Sequence, residues 1–195
     1  MKALDDYIMV LDDIMPQCVV DNLLKEYEKS DVWMKYAPGQ SGGNTPGTHI
    51  LISHPAIIQD SPARQDILAE VQKYIFEGFD QYHKKYSKRE QGLNYLMVKE
   101  LVGLRLIRYE EGQSLDTHTD RYTYPNTNVE IWPVVTFTIM LNEDYSGGEL
   151  DLLDGDHVYK ARSRQCVFFP ANFLYPHAVY PVRRGTRYAL VGWFV

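Results

Sequence analysis

Residues 134–141 read VVTFTIML, and their side chains alternate between two chemical types with a period of two. That period is typical of a β-strand, in which successive side chains point to opposite faces of the sheet. One set of side chains is wholly apolar and the other includes two threonines; the sets are Val135, Phe137, Ile139, Leu141 and Val134, Thr136, Thr138, Met140. The stretch therefore predicts a strand that packs on a core with one face and lines a partly polar cavity with the other.

Short runs of β-forming residues recur from about residue 95 to the last residue of the sequence, with turn residues between them. Strand signals at intervals of about 8–12 residues are typical of β-sandwiches and barrels. This part of the chain is therefore predicted to be all β. The candidate strands lie at 102–110, 132–142, 147–153, 157–161, 165–170, 177–182 and 187–195.

The first 95 residues carry patterns of a different kind. Apolar side chains recur at helical spacing in two stretches, and two short apolar runs are typical of strands. The segment 36–49 is rich in glycine and proline, lacks any period and predicts a loop. The predicted helices span 16–30 and from 61 to the charged segment 83–90, and the predicted short strands span 7–11 and 50–53.

Length and composition bound the class of protein. A chain of 195 residues suits one α+β, mainly β domain over 1–195, with 1–95 as mainly helical support and 96–195 as the β core. The formal net charge is −6 and no stretch concentrates lysine and arginine, so no nucleic-acid partner is predicted. Two cysteines, with Cys166 in an apolar run, predict reduced thiols rather than a disulfide framework. No apolar stretch approaches the length of a membrane span, so we expect a cytoplasmic protein; its oligomeric state is left open.

His118 and Asp120 stand two positions apart within LDTHTDRYTYP, residues 115–125. Side chains at this spacing point the same way on a strand but nearly opposite ways on a helix. On a strand they would offer an imidazole and a carboxylate to one Fe(II), Mn(II) or Zn(II) ion. The alternative is a surface loop in which Asp120 accepts a hydrogen bond from a turn.

A third metal ligand would have to come from another histidine. His177 is the strongest candidate because it stands at the start of an apolar strand pair rather than on a polar surface. The alternative is a histidine whose hydrogen bonds are satisfied within the core. The weaker candidates flank a short strand, lie in a charged helix end or follow a turn: His49, His54, His83 and His157.

Arg187 opens the most apolar strand of the chain. A buried guanidinium without a partner costs several kcal/mol, and its planar fork of donors suits a carboxylate. Counting across a two-residue turn would place Arg187 and His177 on opposite faces. Both can point inward only if the chain crosses to a facing sheet, as it does in a jelly roll.

Together, His118-Thr-Asp120, His177 and Arg187 resemble the His-x-Asp…His…Arg signature of the Fe(II)/2-oxoglutarate-dependent dioxygenases. More narrowly, YEEGQSLDTHTD is similar to the Tyr-x-x-Gly…His-x-Asp segment of the prolyl 4-hydroxylase-like group. The runs GGEL, VFFP and HAVYPVRRGTRYALVGWFV resemble the later strands of that group in the same order. The resemblance covers residues 100–195.

This resemblance implies a double-stranded β-helix, or jelly roll, that holds one iron ion and 2-oxoglutarate. Arg187 would bind the distal carboxylate of 2-oxoglutarate, Tyr109 would add a hydroxyl donor, and Thr138 is a weaker candidate for a further hydrogen bond. The sequence departs from the group at Leu115, often an aromatic residue, and at Arg187, where several members carry lysine. The implied iron ligands are His118, Asp120 and His177.

The implied reaction hydroxylates an unactivated C–H bond while 2-oxoglutarate is decarboxylated to succinate, with ascorbate as a candidate reductant. The resemblance favours a prolyl residue of a peptide or protein as the target. Hydroxylation of a small molecule or free amino acid is the alternative, and a binding module without catalysis is a third hypothesis. The segments 36–49 and 121–132 are expected to close over the substrate. Candidate substrate residues, each also explicable as a plain loop or core aromatic, are Tyr122, Tyr124, Trp132 and Trp193.

Overall fold

Antiparallel strands form most of the structure, and helices precede the longest strands. The computed structural model describes residues 3–35, 47–59, 61–87, 98, 100–123, 129–160 and 162–195. The helices are α1 (Gln17–Tyr27), α2 (Pro55–Ile58) and α3 (Pro62–Ser87), and a 3₁₀ turn covers Asp5–Tyr7. The strands are β1 (Met9–Leu11), β2 (Met34–Lys35), β3 (Thr48–Leu51), β4 (Leu101–Tyr109), β5 (Leu115–His118), β6 (Tyr122–Thr123), β7 (Glu130–Ile131), β8 (Val135–Met140), β9 (Ser146–Gly147), β10 (Leu150–Leu152), β11 (His157–Tyr159), β12 (Cys166–Pro170), β13 (His177–Val179), β14 (Val182–Arg184) and β15 (Arg187–Phe194).

The strands form two main sheets that face each other. The large sheet has the order β1-β12-β8-β15-β4-β3-β2, and the small sheet has the order β11-β10-β13-β5. The pairs β9–β14 and β6–β7 form separate two-stranded ribbons. Met140 and Ala189 of the large sheet pack in one hydrophobic cluster with Leu150 and Leu152 of the small sheet. This is the jelly-roll arrangement of a double-stranded β-helix, and the predicted fold class is confirmed.

Strand β8 has the two-faced character predicted for residues 134–141. Val135, Phe137 and Ile139 belong to the hydrophobic cluster that includes the helices. Thr136 and Thr138 instead line a cavity between the sheets. All six residues of the strand are buried, so neither face of this strand meets solvent.

Helices α1 and α3 cover the outer face of the large sheet. Phe79 of α3 stacks on Phe194 of β15 with ring centroids 3.8 Å apart. Leu23 of α1 is completely buried in the same cluster. Both helices were predicted, although α1 ends at Tyr27, three residues earlier than expected.

Two of the predicted strands are broken in the structure. The run 177–182 divides into β13 and β14 because Pro181 has no amide proton to donate to a sheet ladder. In the run 147–153, Gly147 and Gly148 have φ values of 76° and 65°, which are conformations outside a regular strand. Strand β10 therefore begins only at Leu150.

The N-terminal part also differs in detail from the prediction. The predicted strand 7–11 is a 3₁₀ turn followed by β1, and the predicted strand 50–53 lies earlier, as β3. The single-turn helix α2 was not predicted; its cap is His54, whose Nδ1 accepts a hydrogen bond from the Ala56 N–H at 3.2 Å. Of the predicted loop 36–49, residues 36–46 lie outside the described residues.

Both cysteines lie in the part of the chain that the structure describes. Cys18 is exposed and Cys166 is buried, and both are free thiols, as predicted. Burial raises the pKa of the Cys166 thiol well above its ordinary value.

In the part of the chain that the structure describes, no helix is both long and apolar enough to cross a membrane.

The core at β8 offers a direct test of this packing. Replacing the fully buried Phe137 by alanine should lower the free energy of unfolding by about 3–5 kcal/mol, because a cavity remains under the helices. Phe173→Ala is the matched control, since that ring is 80% exposed and its loss should cost less than about 0.5 kcal/mol. Urea denaturation followed by circular dichroism would measure both, and equal losses would contradict the assignment of the core.

Candidate metal centre

A cavity of about 230 Å³ lies between the two sheets. Its walls come from β4, β8, β12 and β15 on one side and from β5, β10 and β13 on the other. The volume is below the range of about 300–1,000 Å³ that is typical of sites for drug-sized ligands. The cavity therefore suits a metal ion together with a small organic acid.

Three potential metal ligands meet in this cavity: His118, Asp120 and His177. His118 ends β5 and His177 begins β13, and the register of the two strands places these residues opposite each other. The His118 Nε2 atom lies 3.7 Å from one Asp120 oxygen, and the His177 Nε2 atom lies 3.4 Å from the other. All three donor atoms lie within 4.8 Å of one another. His118 is the last residue of β5 and Asp120 follows two residues later, so the predicted His-x-Asp pair lies at a strand end.

Backbone carbonyls hold both imidazole rings in the orientation that a metal ion requires. The Nδ1 atom of His118 lies 2.9 Å from the carbonyl oxygen of Asp116, and that of His177 lies 3.2 Å from the carbonyl oxygen of Tyr175. Because a carbonyl can only accept, the proton of each neutral ring is on Nδ1. The Nε2 lone pairs are left free to bind a metal ion.

The charges of these groups also suit metal binding. Burial and the neighbouring His177 lower the pKa of His118 from its ordinary value, so this ring is neutral near pH 7. Burial alone would raise the pKa of Asp120, but His177, His118 and a hydrogen bond from Thr136 together hold it below its ordinary value. The Thr136 hydroxyl donates to Asp120 Oδ2 at 2.6 Å. The site thus presents a neutral imidazole beside a carboxylate that keeps its charge.

Arg187 lies in the same cavity with only 2% of its surface exposed. Its guanidinium contacts the Met140 sulfur at 3.2 Å and lies over the Tyr109 ring at 5.3 Å. Its Nε atom has no hydrogen-bond partner, and no carboxylate among the described residues lies within 4 Å of the guanidinium. Gly148 leaves room for this side chain, because a Cβ atom there would lie 2.8 Å from Arg187 Cδ. A buried cation without an anionic partner is the place where an anionic ligand is expected.

Comparison with known proteins identifies the part of the chain that carries this cavity. Residues 104–195 match the 2OG-Fe(II) oxygenase superfamily. They belong to it. The superfamily implies Fe(II) and 2-oxoglutarate, and a donor set of two imidazoles and a carboxylate beside a buried unpaired arginine fits both.

The curated relatives share sequence with this chain over less than half of its length. A PKHD-type hydroxylase of Synechococcus sp. (strain JA-2-3B'a(2-13)) is 39% identical over 89 residues, which are 44% of this chain and 39% of that protein. A PKHD-type hydroxylase of Cupriavidus metallidurans is 40% identical over 93 residues, which are 44% of this chain and 40% of that protein. The matches thus span about two fifths of the length of these relatives.

Solved structures resemble the chain over nearly its whole length. A Pseudomonas putida prolyl-4-hydroxylase has a TM-score of 0.63 at 22% identity and covers 96% of this chain and 91% of its own. A Trichoplax adhaerens prolyl hydroxylase, solved with a peptide fragment of the hypoxia inducible factor oxygen degradation domain, has a TM-score of 0.67 at 18% identity and covers 96% of this chain and 82% of its own. At such identities the likeness establishes the fold, which is that of the prolyl 4-hydroxylase-like group.

The structure places the other predicted site residues in different surroundings. Tyr109, Thr138 and Trp193 line the cavity, and each is at most 5% exposed. Tyr122 is 5% exposed and packs against Trp193 with ring centroids 5.8 Å apart, but it is not part of the cavity wall. Trp132 is 67% exposed and also lies outside that wall. Tyr124 lies outside the described residues.

Thr136 and Arg105 are among the cavity residues that were not singled out from the sequence. Thr136 binds Asp120, and it alternates with Thr138 on the mixed face of β8, so the threonine pattern could have indicated it. Arg105 lines the cavity from β4. Arg105 lies four residues before Tyr109, so on a strand the two side chains point to the same face, and this spacing could have indicated Arg105.

The hydrogen bond between Thr136 and Asp120 should support metal binding. Thr136→Val keeps the shape of the side chain but removes the donor, so we expect Mn(II) affinity to fall by about 10–100-fold. Calorimetric titration of Mn(II) would measure the change. Thr117→Val is the control, because Thr117 lies on the same strand as His118 but is exposed. Equal Mn(II) affinities in the two variants would contradict a supporting role for Thr136.

Proposed function

We propose that this protein is an Fe(II)- and 2-oxoglutarate-dependent dioxygenase that hydroxylates an unactivated C–H bond. The observation that carries this proposal is that the His118, Asp120 and His177 donors share one cavity with the buried Arg187, whose guanidinium has no carboxylate partner among the described residues. The three donors would hold Fe(II) on one side and leave its other positions open. A structural domain has no need of an uncompensated guanidinium beside such a cluster, which counts against a binding module without catalysis.

Arg187, Tyr109 and Thr138 are proposed to bind 2-oxoglutarate. Arg187 would pair with the distal carboxylate through two parallel hydrogen bonds, which replaces the missing anionic partner. Tyr109 is the register partner of Arg187 across β4 and β15, so its side chain stands beside the guanidinium. Thr138 lines the same cavity from β8 and would donate or accept a further hydrogen bond.

The bound iron and cosubstrate would couple decarboxylation of 2-oxoglutarate, to succinate and CO₂, with transfer of the second oxygen atom of O₂ into a C–H bond of the primary substrate. The chain itself would orient both reactants and exclude water. Asp116 and Tyr175 fix the two rings through their backbone carbonyls. Ile107, Leu150 and Phe169 are apolar parts of the cavity wall and would help to exclude water once the ligands are bound. Ascorbate is proposed as the external reductant that maintains Fe(II).

Removal of the Arg187 charge should weaken 2-oxoglutarate binding. In Arg187→Met the apolar stem persists, while the loss of a buried charge pair should weaken affinity by about 30-fold or more. Calorimetric titration of 2-oxoglutarate into anaerobic, Mn(II)-loaded protein would measure it. Arg183→Met is the matched control, because the Arg183 side chain is 70% exposed and pairs with Glu149 away from the cavity. Absence of binding to the metal-loaded wild type would overturn the proposed function.

A prolyl residue of a peptide or protein is the proposed target. Support comes from the fold shared with a bacterial prolyl-4-hydroxylase and with a prolyl hydroxylase solved with a peptide. Trp193 would contact the target from the cavity wall, with Tyr122 packed behind it. Tyr124 and Trp132 are proposed to border the entrance. The small volume of the cavity also suits a free amino acid or another small molecule, which remains the second candidate.

Product analysis would separate these targets. Incubation with Fe(II), 2-oxoglutarate, ascorbate and O₂ should convert proline-containing peptides into products heavier by one oxygen atom, with succinate formed in equal amount. Asp120→Ala should form neither product because its metal site has lost the carboxylate. Coupled turnover of free amino acids and of no peptide would instead support the small-molecule candidate.

A further inference from the structure

The cavity has a second cationic side chain that the proposed cosubstrate does not use. Arg105 lines the cavity from β4 and lies four residues before Tyr109 on the same face of the strand. With the rise of an extended strand, the two positions are about 13 Å apart. Arg187 is the register partner of Tyr109, so the backbones of the two arginines are separated by the same length of strand. The two arginines therefore serve opposite ends of the cavity.

Arg105 lies at the end of the cavity that adjoins the metal donors. Its guanidinium lies over the Trp193 ring at 4.9 Å. Trp193 is the register partner of Thr136, whose hydroxyl binds Asp120. A group bound by Arg105 would consequently lie next to the metal centre, on the side away from Arg187.

The hydrogen-bonding capacity of Arg105 is not satisfied within the described part of the chain. Its Nε atom is buried without a partner, and no described carboxylate lies within 4 Å of its guanidinium. Arg108, on the opposite face of the same strand, lies 3.5 Å from Glu110 and stacks over Trp33. The Nε atom of Arg108 also has no hydrogen-bond partner, so the two arginines differ only in that Arg108 lies within ion-pair distance of an acid and Arg105 does not.

The charge of the cavity favours an anion in addition to 2-oxoglutarate. Its walls carry Arg105, Arg121 and Arg187 against the single carboxylate of Asp120. The charges of Fe(II) and of doubly ionised 2-oxoglutarate cancel, so the positive excess remains after both have bound. This excess is local, because the whole chain has a formal net charge of −6.

We propose that Arg105 binds a carboxylate of the primary substrate and so makes the oxygenase selective for substrates with an anionic group near the oxidised carbon. The contact with Trp193 restrains the guanidinium, whose planar fork then donates two parallel hydrogen bonds to a carboxylate. The carboxylate is that of an acidic peptide side chain, a peptide C-terminus or a free amino acid. This inference rests on the proposed function and specifies its substrate class.

Matched pairs of probes would test the inference. Each pair shares one skeleton and differs in a single charge: peptides with aspartate or asparagine beside proline, peptides with a free or amidated C-terminus, and L-proline or L-prolinamide. Succinate formation and probe binding to the anaerobic Mn(II)- and 2-oxoglutarate-loaded protein would both be measured. The acidic member of at least one pair should have a KM or dissociation constant lower by about 10–150-fold in the wild type.

Three variants connect this preference to Arg105. Arg105→Met, which keeps the stem over Trp193, should abolish the preference, while Arg105→Lys should retain part of it through the charge alone. Arg108→Met, on the outer face of β4, should preserve it. The affinity for 2-oxoglutarate should stay unchanged in all three variants, which separates this role from cosubstrate binding.

The outcomes distinguish this inference from the function on which it rests. If no pair shows an Arg105-dependent preference, whether because neither member binds or because both bind alike, carboxylate recognition is refuted. A loss of 2-oxoglutarate affinity in Arg105→Met would also refute it by assigning Arg105 to the cosubstrate. If the wild type binds no 2-oxoglutarate at all, the proposed function itself fails.

Discussion

The two-residue period of the central strands, with burial on both faces, is the constraint on which the structure depends. Strands β4, β8 and β15 present one set of side chains to the helices and the other set to the cavity. A slip of one residue would exchange the two sets. In β15 such a slip would drive Arg187 into the apolar cluster under α3 and expose Phe194 to the cavity. The free-energy cost of burying the charge among aromatic rings therefore specifies the register strongly.

The same strand pairing organises the donors of the candidate metal centre. Antiparallel register brings His118 opposite His177, and each ring is held by the backbone carbonyl two residues earlier in the chain. Thr136 of the large sheet reaches across to Asp120, so both sheets contribute to the geometry. Backbone carbonyls and a buried threonine thus hold these donors in position. The same cavity carries Arg187 and Arg105, which are the proposed partners of two anionic ligands.

Much of this architecture follows from local patterns. Helical periodicity located α1 and α3 to within a few residues at most ends, because an apolar stripe with that period has to be buried against a core. Counting residues across the predicted turn indicated that Arg187 and His177 could both point inward only from facing sheets. They lie on β15 of the large sheet and β13 of the small sheet. The single-turn helix α2 was missed because four residues are too few to establish a period. Residues of α1 and α3 share one hydrophobic cluster with the large sheet, and the role of residues 1–95 as support for a single domain stays a prediction.

The sequence by itself determined which residue types could bind a metal ion, which face of each long strand is apolar, and that the C-terminal part is a β-sandwich or barrel, since these depend on spacing and alternation along the chain. The jelly roll was implied by the family resemblance. Only the tertiary structure decided which side chains meet. In it, Thr136 donates a hydrogen bond to Asp120, and the guanidinium of Arg105 lies over the Trp193 ring. Tyr122 packs against Trp193 outside the cavity wall, and Trp132 is exposed. The physical reason is that alternation assigns a face to each residue but not its neighbour across the gap. That neighbour depends on which strands pair, although they are distant in sequence, and on how the two sheets pack against each other. The local alternation of side chains carries no information on either.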